Sequence, residues 1–276
     1  MARDQDLGIL VIGATGKVGR NVVPGLLERD AAVRALTRDP NAARLPTDVE
    51  VVAGDLSDPQ RLSEHLGDAE AVFLVWPFFG DEGADEVVRM LAQRARRVVY
   101  LSAEAAGKRR DSFWARLERA IEGSATEWTF LRPTGFAANT LMWAEQIRES
   151  GIVRWPYGQA ARSLIHERDI ADVAVRALTE DGHAGARYVL TGPEALTQVE
   201  QVSQIGTALG RTVRWEELSR EDAERELAGR VPDTALDTWA SFVEAPEVVT
   251  STVREVTGEP ARSFAEWARD HADDFR

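Results

Sequence analysis

Short apolar segments and amphipathic stretches alternate along the first two-thirds of the chain. The apolar runs are rich in Val, Ile and Leu, and they occupy residues 7–12, 32–36, 49–52, 71–75, 98–101 and 128–131. Runs that are continuously apolar are typical of strands buried on both faces of a sheet. The pattern therefore predicts an α/β fold with a doubly wound parallel sheet, covered by crossover helices.

Helix-capping residues predict where several helices begin. Asp58 with Pro59 would begin one crossover helix, and Asp169 would begin another, because residues 170–178 carry apolar side chains at helical spacing. Beyond about residue 185 the chain is predicted to be mostly helical, with capping residues at Thr197, Ser219 and Ser263. Residues 1–150, completed by about 164–192, would form the sheet domain, and residues 151–163 with 193–276 a small second region.

Composition narrows the classes of function. The chain has 33 Lys and Arg against 46 Asp and Glu, a net charge of −13, which argues against nucleic acid as a partner. It has no cysteine, so disulfides, thiolate metal sites and a cysteine nucleophile are excluded. The four histidines are scattered, and no metal site is predicted. No apolar run approaches the roughly 18 residues of a membrane span, so the sequence predicts a cytoplasmic protein whose oligomeric state stays open.

A glycine-rich turn follows the first apolar run. It reads Gly13-Ala-Thr-Gly16-Lys-Val-Gly19 and precedes a predicted helix. Glycines at this spacing allow a tight turn and a close approach of the backbone to a pyrophosphate, which the helix N-terminus attracts. Thr15, Lys17 and Val18 belong to the same predicted dinucleotide site. The alternative is a glycine turn that binds no ligand.

The end of the second predicted strand bears on the choice of cofactor. Proteins that prefer NAD(H) commonly carry an acidic residue there for the ribose 2′-hydroxyl, whereas this chain has Arg38. A guanidinium pairs well with a phosphate, so we expect NADP(H), with Lys17 as a possible second cation. The alternative for Arg38 is a solvated surface side chain.

Several motifs along nearly the whole chain resemble the NmrA-like branch of the atypical short-chain dehydrogenase/reductase superfamily. They are the glycine turn, Val33-Arg-Ala-Leu-Thr-Arg38, Gly54-Asp55-Leu56, Val98-Val-Tyr-Leu-Ser102, Leu117-Glu118-Arg-Ala-Ile-Glu122, Trp128-Thr-Phe-Leu-Arg132-Pro133, Phe136 with Asn139, Asp169-Ile-Ala-Asp172 and Tyr188-Val-Leu-Thr-Gly192-Pro193. The resemblance implies a Rossmann-type fold with an NADP-binding domain and a small, mostly helical substrate-binding region.

The resemblance also implies roles for residues at the strand ends. Asp55 and Leu56 would flank the adenine, and Trp76 with Pro77 would line the nicotinamide ribose. Ser102 would stand at the end of the fifth strand, and residues 132–134, beginning with Arg132 and Pro133, would border the carboxamide.

The chain departs from the superfamily at the usual catalytic pair. Typical members use a tyrosine and a lysine on one helix turn to relay a proton, and the corresponding positions here are Trp114 and Glu118. An indole has no accessible acid–base chemistry, and Glu118 is interpreted as a helix-surface carboxylate. Ser102, Trp114 and His166 remain the candidate catalytic residues, although a buried, hydrogen-bonded His166 is the plainer interpretation.

These departures favour hydride transfer to an acceptor that needs no protein acid. Quinones, iminium ions and other electron-poor molecules are such acceptors, and NmrA-like quinone and triphenylmethane reductases are similar cases. The predicted substrate pocket is formed by Phe78, Trp114, Phe136, Asn139, Trp143 and Trp155. Two alternatives stay open: an NADP(H)-binding redox sensor without turnover, and non-redox chemistry on a retained cofactor.

Overall fold

The computed structural model describes residues 8–59, 62, 69–78, 80–124, 126–232 and 234–276. Contacts between Cα atoms divide the chain into two compact units. Unit 1 comprises the described residues of Met1–Pro133, Glu167–Leu190 and Glu255–Gly258. Unit 2 comprises Thr134–His166, Thr191–Arg254 and Glu259–Arg276. Residues 134–150 thus fall in unit 2, whereas the sequence analysis groups them with the sheet.

Unit 1 is built on a parallel sheet of seven strands. The strands are β1 (Gly8–Ile12), β2 (Ala32–Thr37), β3 (Glu50–Ala53), β4 (Ala71–Val75), β5 (Arg97–Leu101), β6 (Glu127–Pro133) and β9 (Ala186–Leu190). Their order is β3-β2-β1-β4-β5-β6-β9, and every neighbouring pair is parallel. The predicted doubly wound Rossmann-type fold is confirmed.

Helices cover the sheet of unit 1 on both faces. They are α1 (Gly19–Leu27), α2 (Ala84–Arg94), α3 (Ala105–Lys108), α4 (Phe113–Glu122) and α6 (Glu167–Thr179). Successive side chains of a strand point to opposite faces. Leu10, Val72 and Val98 accordingly share a core with α2 and α4, while α1 packs against α6. The central strands are buried on both faces, which explains their continuous apolar runs.

Two predicted helix starts in unit 1 have different outcomes. The helix predicted from Asp169 is α6, which begins two residues earlier, at Glu167, and buries the predicted apolar residues between 170 and 178. The helix predicted from Asp58 runs into residues 60, 61 and 63–68, which lie outside the described residues. At its start, the Leu62 amide donates to the Asp58 carbonyl at 3.1 Å, as in a helical turn.

Unit 2 is mostly helical, as predicted. Its strands are β7 (Ile152–Trp155), β8 (Ala161–Arg162), β10 (Leu196–Thr197) and β11 (Arg214–Glu217), which pair β7 with β11 and β8 with β10. Its helices are α5 (Ala144–Ser150), α7 (Gln198–Leu209), α8 (Arg220–Glu226), α9 (Ala235–Glu244) and α11 (Phe264–Asp270). Residues Ala137–Trp143 and Ala272–Phe275 form 3-10 helices. Helix α10 (Thr252–Thr257) has residues in both units.

Caps begin three helices of unit 2. Full capping boxes join Thr197 to Glu200 and Ser263 to Glu266, and Ser219 caps α8. These three predictions are confirmed. A cap involves residues only three positions apart, so the sequence alone can identify it. Among the described residues, no helix has the length and apolar character that crossing a membrane requires.

Candidate cofactor site and active site

The glycine turn of unit 1 is fixed by backbone sterics. Gly13 has φ +82°, a conformation that L side chains rarely adopt, and its carbonyl accepts from the Gly16 amide at 2.9 Å. A Cβ at Gly19, the first residue of α1, would lie 2.1 Å from the Gly13 carbonyl oxygen. No side chain caps the N-terminus of α1. The turn therefore presents exposed backbone at residues 15–17 beside the start of a helix, the arrangement that binds phosphates.

A cavity of about 650 Å³ extends from this turn along the carboxyl ends of the first four strands. This volume lies within the usual ~300–1,000 Å³ of small-molecule sites. Its lining follows strand order: Gly13, Thr15 and Gly16 after β1, Leu36–Asp39 with Ala42 and Ala43 after β2, Gly54–Leu56 after β3, and Val75, Pro77 and Phe78 after β4. Open parallel sheets bind ligands at this edge, and the glycine cradle suits a dinucleotide pyrophosphate.

Arg38 and Asp39 meet the cavity where β2 ends. Arg38 is exposed, and no carboxylate of the described residues forms an ion pair with it. The Asp39 carboxylate is hydrogen-bonded within its own turn: it accepts from the backbone amides of Asn41 at 3.0 Å and Ala42 at 3.3 Å. The cation is thus available to an anionic ligand, while the neighbouring carboxylate caps a turn.

Asp55 and Leu56 both line the same cavity. The Asp55 carboxylate accepts from the Ser57 amide at 2.9 Å, and this bond is the main cause that lowers the Asp55 pKa below its usual value. The Arg38 charge lowers the pKa further. Asp55 is therefore an ionised turn cap at the cavity wall, and Leu56 is buried behind it.

The aromatic residues after β4 divide between the core and the cavity. The Trp76 ring is buried, and its indole N–H donates to the Gly80 carbonyl at 2.7 Å. Phe78 packs edge-on against Trp76, with ring centroids 5.1 Å apart, and lines the cavity together with Pro77. Phe78, predicted as a substrate contact, thus borders the candidate dinucleotide site.

Glu118 is the centre of a buried polar network in unit 1. The Ser102 hydroxyl donates to Glu118 Oε1 at 2.6 Å. Arg132 donates from Nε to Oε1 at 2.9 Å and from Nη2 to Oε2 at 2.5 Å. The hydrogen bond to Glu118 is the main cause that raises the Arg132 pKa above its usual value. The interpretation of Glu118 as a surface carboxylate is wrong, because the residue is only 4% exposed.

Two aromatic residues near this network cannot replace a catalytic tyrosine. The Tyr100 hydroxyl is fully buried without a hydrogen-bond partner among the described residues. Burial raises its pKa, and the Glu118 charge raises it further, so the phenol keeps its proton. Trp114 on α4 is half-buried and packs against Phe113, with ring centroids 4.1 Å apart. An indole donates a hydrogen bond but transfers no proton.

The remaining predicted residues lie in unit 2, where Phe136, Trp143 and Trp155 share one hydrophobic cluster that does not include His166 or Asn139. His166 is 2% exposed, and its Nε2 lies 3.3 Å from the Asp270 carboxylate. Asn139 and Trp143 line a small cavity of unit 2, whereas Phe136 and Trp155 are not part of its lining. No group of three or more His, Asp or Glu in the described part of the chain is arranged to hold a metal ion.

Seven residues that line this cavity were not predicted from the sequence, and four of them carry a guanidinium, amide or indole group. These four are Arg162, Gln198, Gln201 and Trp239, which come from β8, α7 and α9. Their only common signal in the sequence is polar or aromatic character. Because their contacts join segments far apart in the chain, no local pattern identifies them.

The fold and the cavity at its strand ends define a dinucleotide-binding protein. Residues 13–181 match a family described as NAD(P)H-binding. The chain is 41% identical to a (4-alkanoyl-5-oxo-2,5-dihydrofuran-3-yl)methyl phosphate reductase of Streptomyces griseus, over 97% of this chain and 99% of that protein. It is 36% identical to the NAD(P)H azoreductase of Xenophilus azovorans, over 97% and 99% of the two chains.

Solved structures show the same fold. The Citrobacter sp. triphenylmethane reductase complexed with NADP(H) aligns with a TM-score of 0.78 at 22% identity, over 96% of this chain and 99% of that one. The chain belongs to the NAD(P)H-binding family, within the NmrA-like atypical reductases that its motifs resemble. The predictions of a nicotinamide dinucleotide cofactor and of an oxidoreductase are confirmed.

Proposed function

We propose that this protein uses NADPH to reduce a conjugated, electron-poor small molecule, and that the accompanying proton comes from water. The observation that supports this proposal is the Ser102–Glu118–Arg132 network. The names of its relatives, reductases of an oxo-dihydrofuran phosphate and of azo compounds, fit acceptors of this class.

The network leaves no proton for the acceptor. Both Glu118 oxygens accept hydrogen bonds, so this side chain has nothing to donate. The single Ser102 hydroxyl proton is directed at Glu118, and Ser102 offers other groups only its oxygen lone pairs. The two side chains at the positions of the usual pair, Trp114 and Glu118, therefore perform no proton relay.

An acceptor that needs general acid catalysis would react poorly at such a site. A simple ketone builds negative charge on oxygen as it takes a hydride, and stabilising that charge normally requires a proton donor. A quinone or an iminium ion delocalises or neutralises the charge, and solvent supplies the proton. Bound NADPH supplies the hydride itself.

Arg38 supports the choice of the phosphorylated cofactor. It meets the cavity as an exposed cation, and Asp39 beside it caps a turn. A 2′-phosphate would find a charge-assisted partner in Arg38, with Lys17 exposed in the glycine turn as a second cation. Gly13, Thr15, Gly16, Asp55 and Leu56 would hold the rest of the nucleotide.

The proposal is tested by following NADPH oxidation with naphthoquinones, azo dyes, triarylmethane dyes and simple ketones, each with NADH in parallel. We expect turnover with the electron-poor acceptors and at least about a hundredfold lower kcat/KM with ketones, because general acid catalysis contributes roughly 10²–10⁴-fold. Comparable turnover of ketones would overturn the proposal. NADPH binding without reduction of any acceptor would favour the redox-sensor alternative.

A further inference from the structure

Two opposite charges stand side by side at the dinucleotide cavity of unit 1. Arg38 and Asp39 are both exposed and both line the cavity, and the chain bends at Arg38 directly after β2. No ion pair joins these two described residues. The Arg38 charge acts instead on Asp55, whose pKa it helps to lower. The cation and the carboxylate are therefore two separate groups for a ligand in this cavity.

The Asp39 carboxylate is fixed by the turn that it begins. An Asp-Pro sequence favours the start of a turn, and Pro40 favours an extended backbone at Asp39. Oδ1 of Asp39 accepts from the amides of Asn41 and Ala42, at 3.0 and 3.3 Å. No donor of the described residues bonds Oδ2. One oxygen thus holds the side chain in place, and the other can accept a hydrogen bond from a ligand.

The two groups suit different forms of the cofactor. A guanidinium binds the 2′-phosphate of NADPH well. In Rossmann-type folds, a carboxylate about 20 residues after the glycine turn binds the ribose 2′-hydroxyl of NADH, and Asp39 stands at about that distance from Gly19. Arg38 by itself indicates NADPH, whereas Asp39 adds the acceptor that suits NADH.

The neighbouring charges have opposite effects on a 2′-phosphate. The guanidinium attracts the phosphate, and the carboxylate beside it repels the phosphate. The 2′-hydroxyl of NADH is neutral, so it is not repelled and donates a charge-assisted hydrogen bond to a carboxylate. Because both side chains are exposed, solvent and salt weaken each effect. The site should therefore discriminate only weakly between the two cofactors.

We propose that Asp39 is a second specificity-determining residue of the dinucleotide site, whose Oδ2 accepts from the 2′-hydroxyl of NADH and allows the protein to use NADH as well as NADPH. The use of the bound dinucleotide in a reaction rests on the proposed function. Binding is measured without an acceptor, so a protein that reduces nothing can still pass or fail the test.

The test compares the affinities for NADH and NADPH by fluorescence titration, in the unaltered protein and in Asp39→Asn. The variant keeps an oxygen for the Asn41 and Ala42 amides and removes only the charge, so the turn should be retained. We expect NADH to bind the unaltered protein within about tenfold of NADPH. In Asp39→Asn, NADH affinity should fall about fivefold, and NADPH affinity should stay the same or rise.

A matched control has the same change in net charge. Asp48 is an exposed carboxylate of unit 1 that does not line the cavity. Asp48→Asn should leave the affinities for NADH and NADPH unchanged. A loss of NADH affinity in Asp39→Asn alone would then come from a local contact rather than from the net charge of the protein.

Two cofactor fragments identify the group that Asp39 contacts. ADP and 2′-deoxy-ADP differ only in the ribose 2′-hydroxyl, and neither can transfer a hydride. ADP should bind the unaltered protein about fivefold more tightly than 2′-deoxy-ADP. This difference should shrink in Asp39→Asn and persist in Asp48→Asn.

Four results would each overturn the proposal. Failure of NADH to bind the unaltered protein would leave Asp39 without a role in NADH use. Equal binding of ADP and 2′-deoxy-ADP would exclude a contact with the 2′-hydroxyl. Unchanged NADH affinity in Asp39→Asn would show that the charge of Asp39 is not recognised, and equal losses for NADH and NADPH would show that the residue only supports the turn.

Discussion

Two buried polar groups, Glu118 in unit 1 and the Trp143 indole in unit 2, differ in how completely they are satisfied. In unit 1, Glu118 is surrounded by donors, and every oxygen of its carboxylate accepts a hydrogen bond. In unit 2, the indole N–H of Trp143 has no acceptor among the described residues although the ring is 2% exposed. One arrangement is closed by its own side chains, and the other leaves a buried donor without an acceptor among the described residues.

This difference bears on the stability of the fold. A closed network stabilises the fold, and breaking it leaves charges buried without a partner. A buried donor without an acceptor is instead destabilising. Arg38 differs from both, because it lies exposed at the dinucleotide cavity while Arg132 is clamped to Glu118.

Replacing the centre of the closed network should give the largest effect on stability. Glu118→Leu would leave the Arg132 guanidinium, 14% exposed, without its carboxylate. We expect the free energy of unfolding to fall by about 3 kcal/mol or more, as when one partner of a buried pair is removed. Urea denaturation followed by circular dichroism measures the change.

Glu122→Leu is the matched control on the same helix. Glu122 pairs with Arg187, and both side chains are more than a third exposed. An exposed pair of this kind stabilises by at most about 1 kcal/mol. If both variants lost the same free energy of unfolding, the buried Glu118 network would be no more stabilising than the exposed Glu122–Arg187 pair.

Removing the exposed cation of unit 1 should change cofactor choice and leave stability alone. Arg38→Ala should weaken NADPH binding by about tenfold or more and leave NADH binding nearly unchanged, since a hydrogen bond to a charged group contributes ~1.5–3 kcal/mol. Fluorescence titration with both cofactors measures the preference. If Arg38→Ala still preferred NADPH over NADH, a residue other than Arg38 would bind the 2′-phosphate.

Removing the unsatisfied donor of unit 2 should reduce stability less than removing Glu118. Trp143→Phe deletes an N–H that makes no hydrogen bond with the described residues, but the smaller ring leaves space in the core, so the free energy of unfolding should fall by about 1–2 kcal/mol. Thermal and urea unfolding measure it. A loss as large as that of Glu118→Leu would mean that the indole N–H is structurally satisfied.

Local patterns in the sequence predicted much of unit 1. The glycine turn and the buried strands of unit 1, like the capping residues of unit 2, depend on neighbours within a few positions, so periodicity and spacing identify them. Arg38 was placed at the cavity by the same reasoning, because it directly follows β2, whereas the role of Asp55 was implied by the family resemblance.

Long-range contacts explain what the sequence could not predict. Glu118 lies on the buried face of α4 with Ala115 and Ile121, but its hydrogen-bond partners Ser102 and Arg132 are 16 and 14 residues away in the chain. The unit 2 cavity combines side chains between positions 139 and 239. Trp76 follows a strand as predicted, yet the Gly80 carbonyl holds its ring in the core.

The central claim, that the protein supplies no proton to the acceptor, is tested most directly by the pH dependence of hydride transfer. Single-turnover oxidation of bound NADPH by a naphthoquinone would be followed from about pH 6 to 9, in the unaltered protein and in Ser102→Ala. We predict rates that are flat with pH and a serine variant that keeps its hydride-transfer rate. A rate that falls about tenfold per pH unit above one pKa, and that is lost in Ser102→Ala, would show that a protein acid protonates the acceptor.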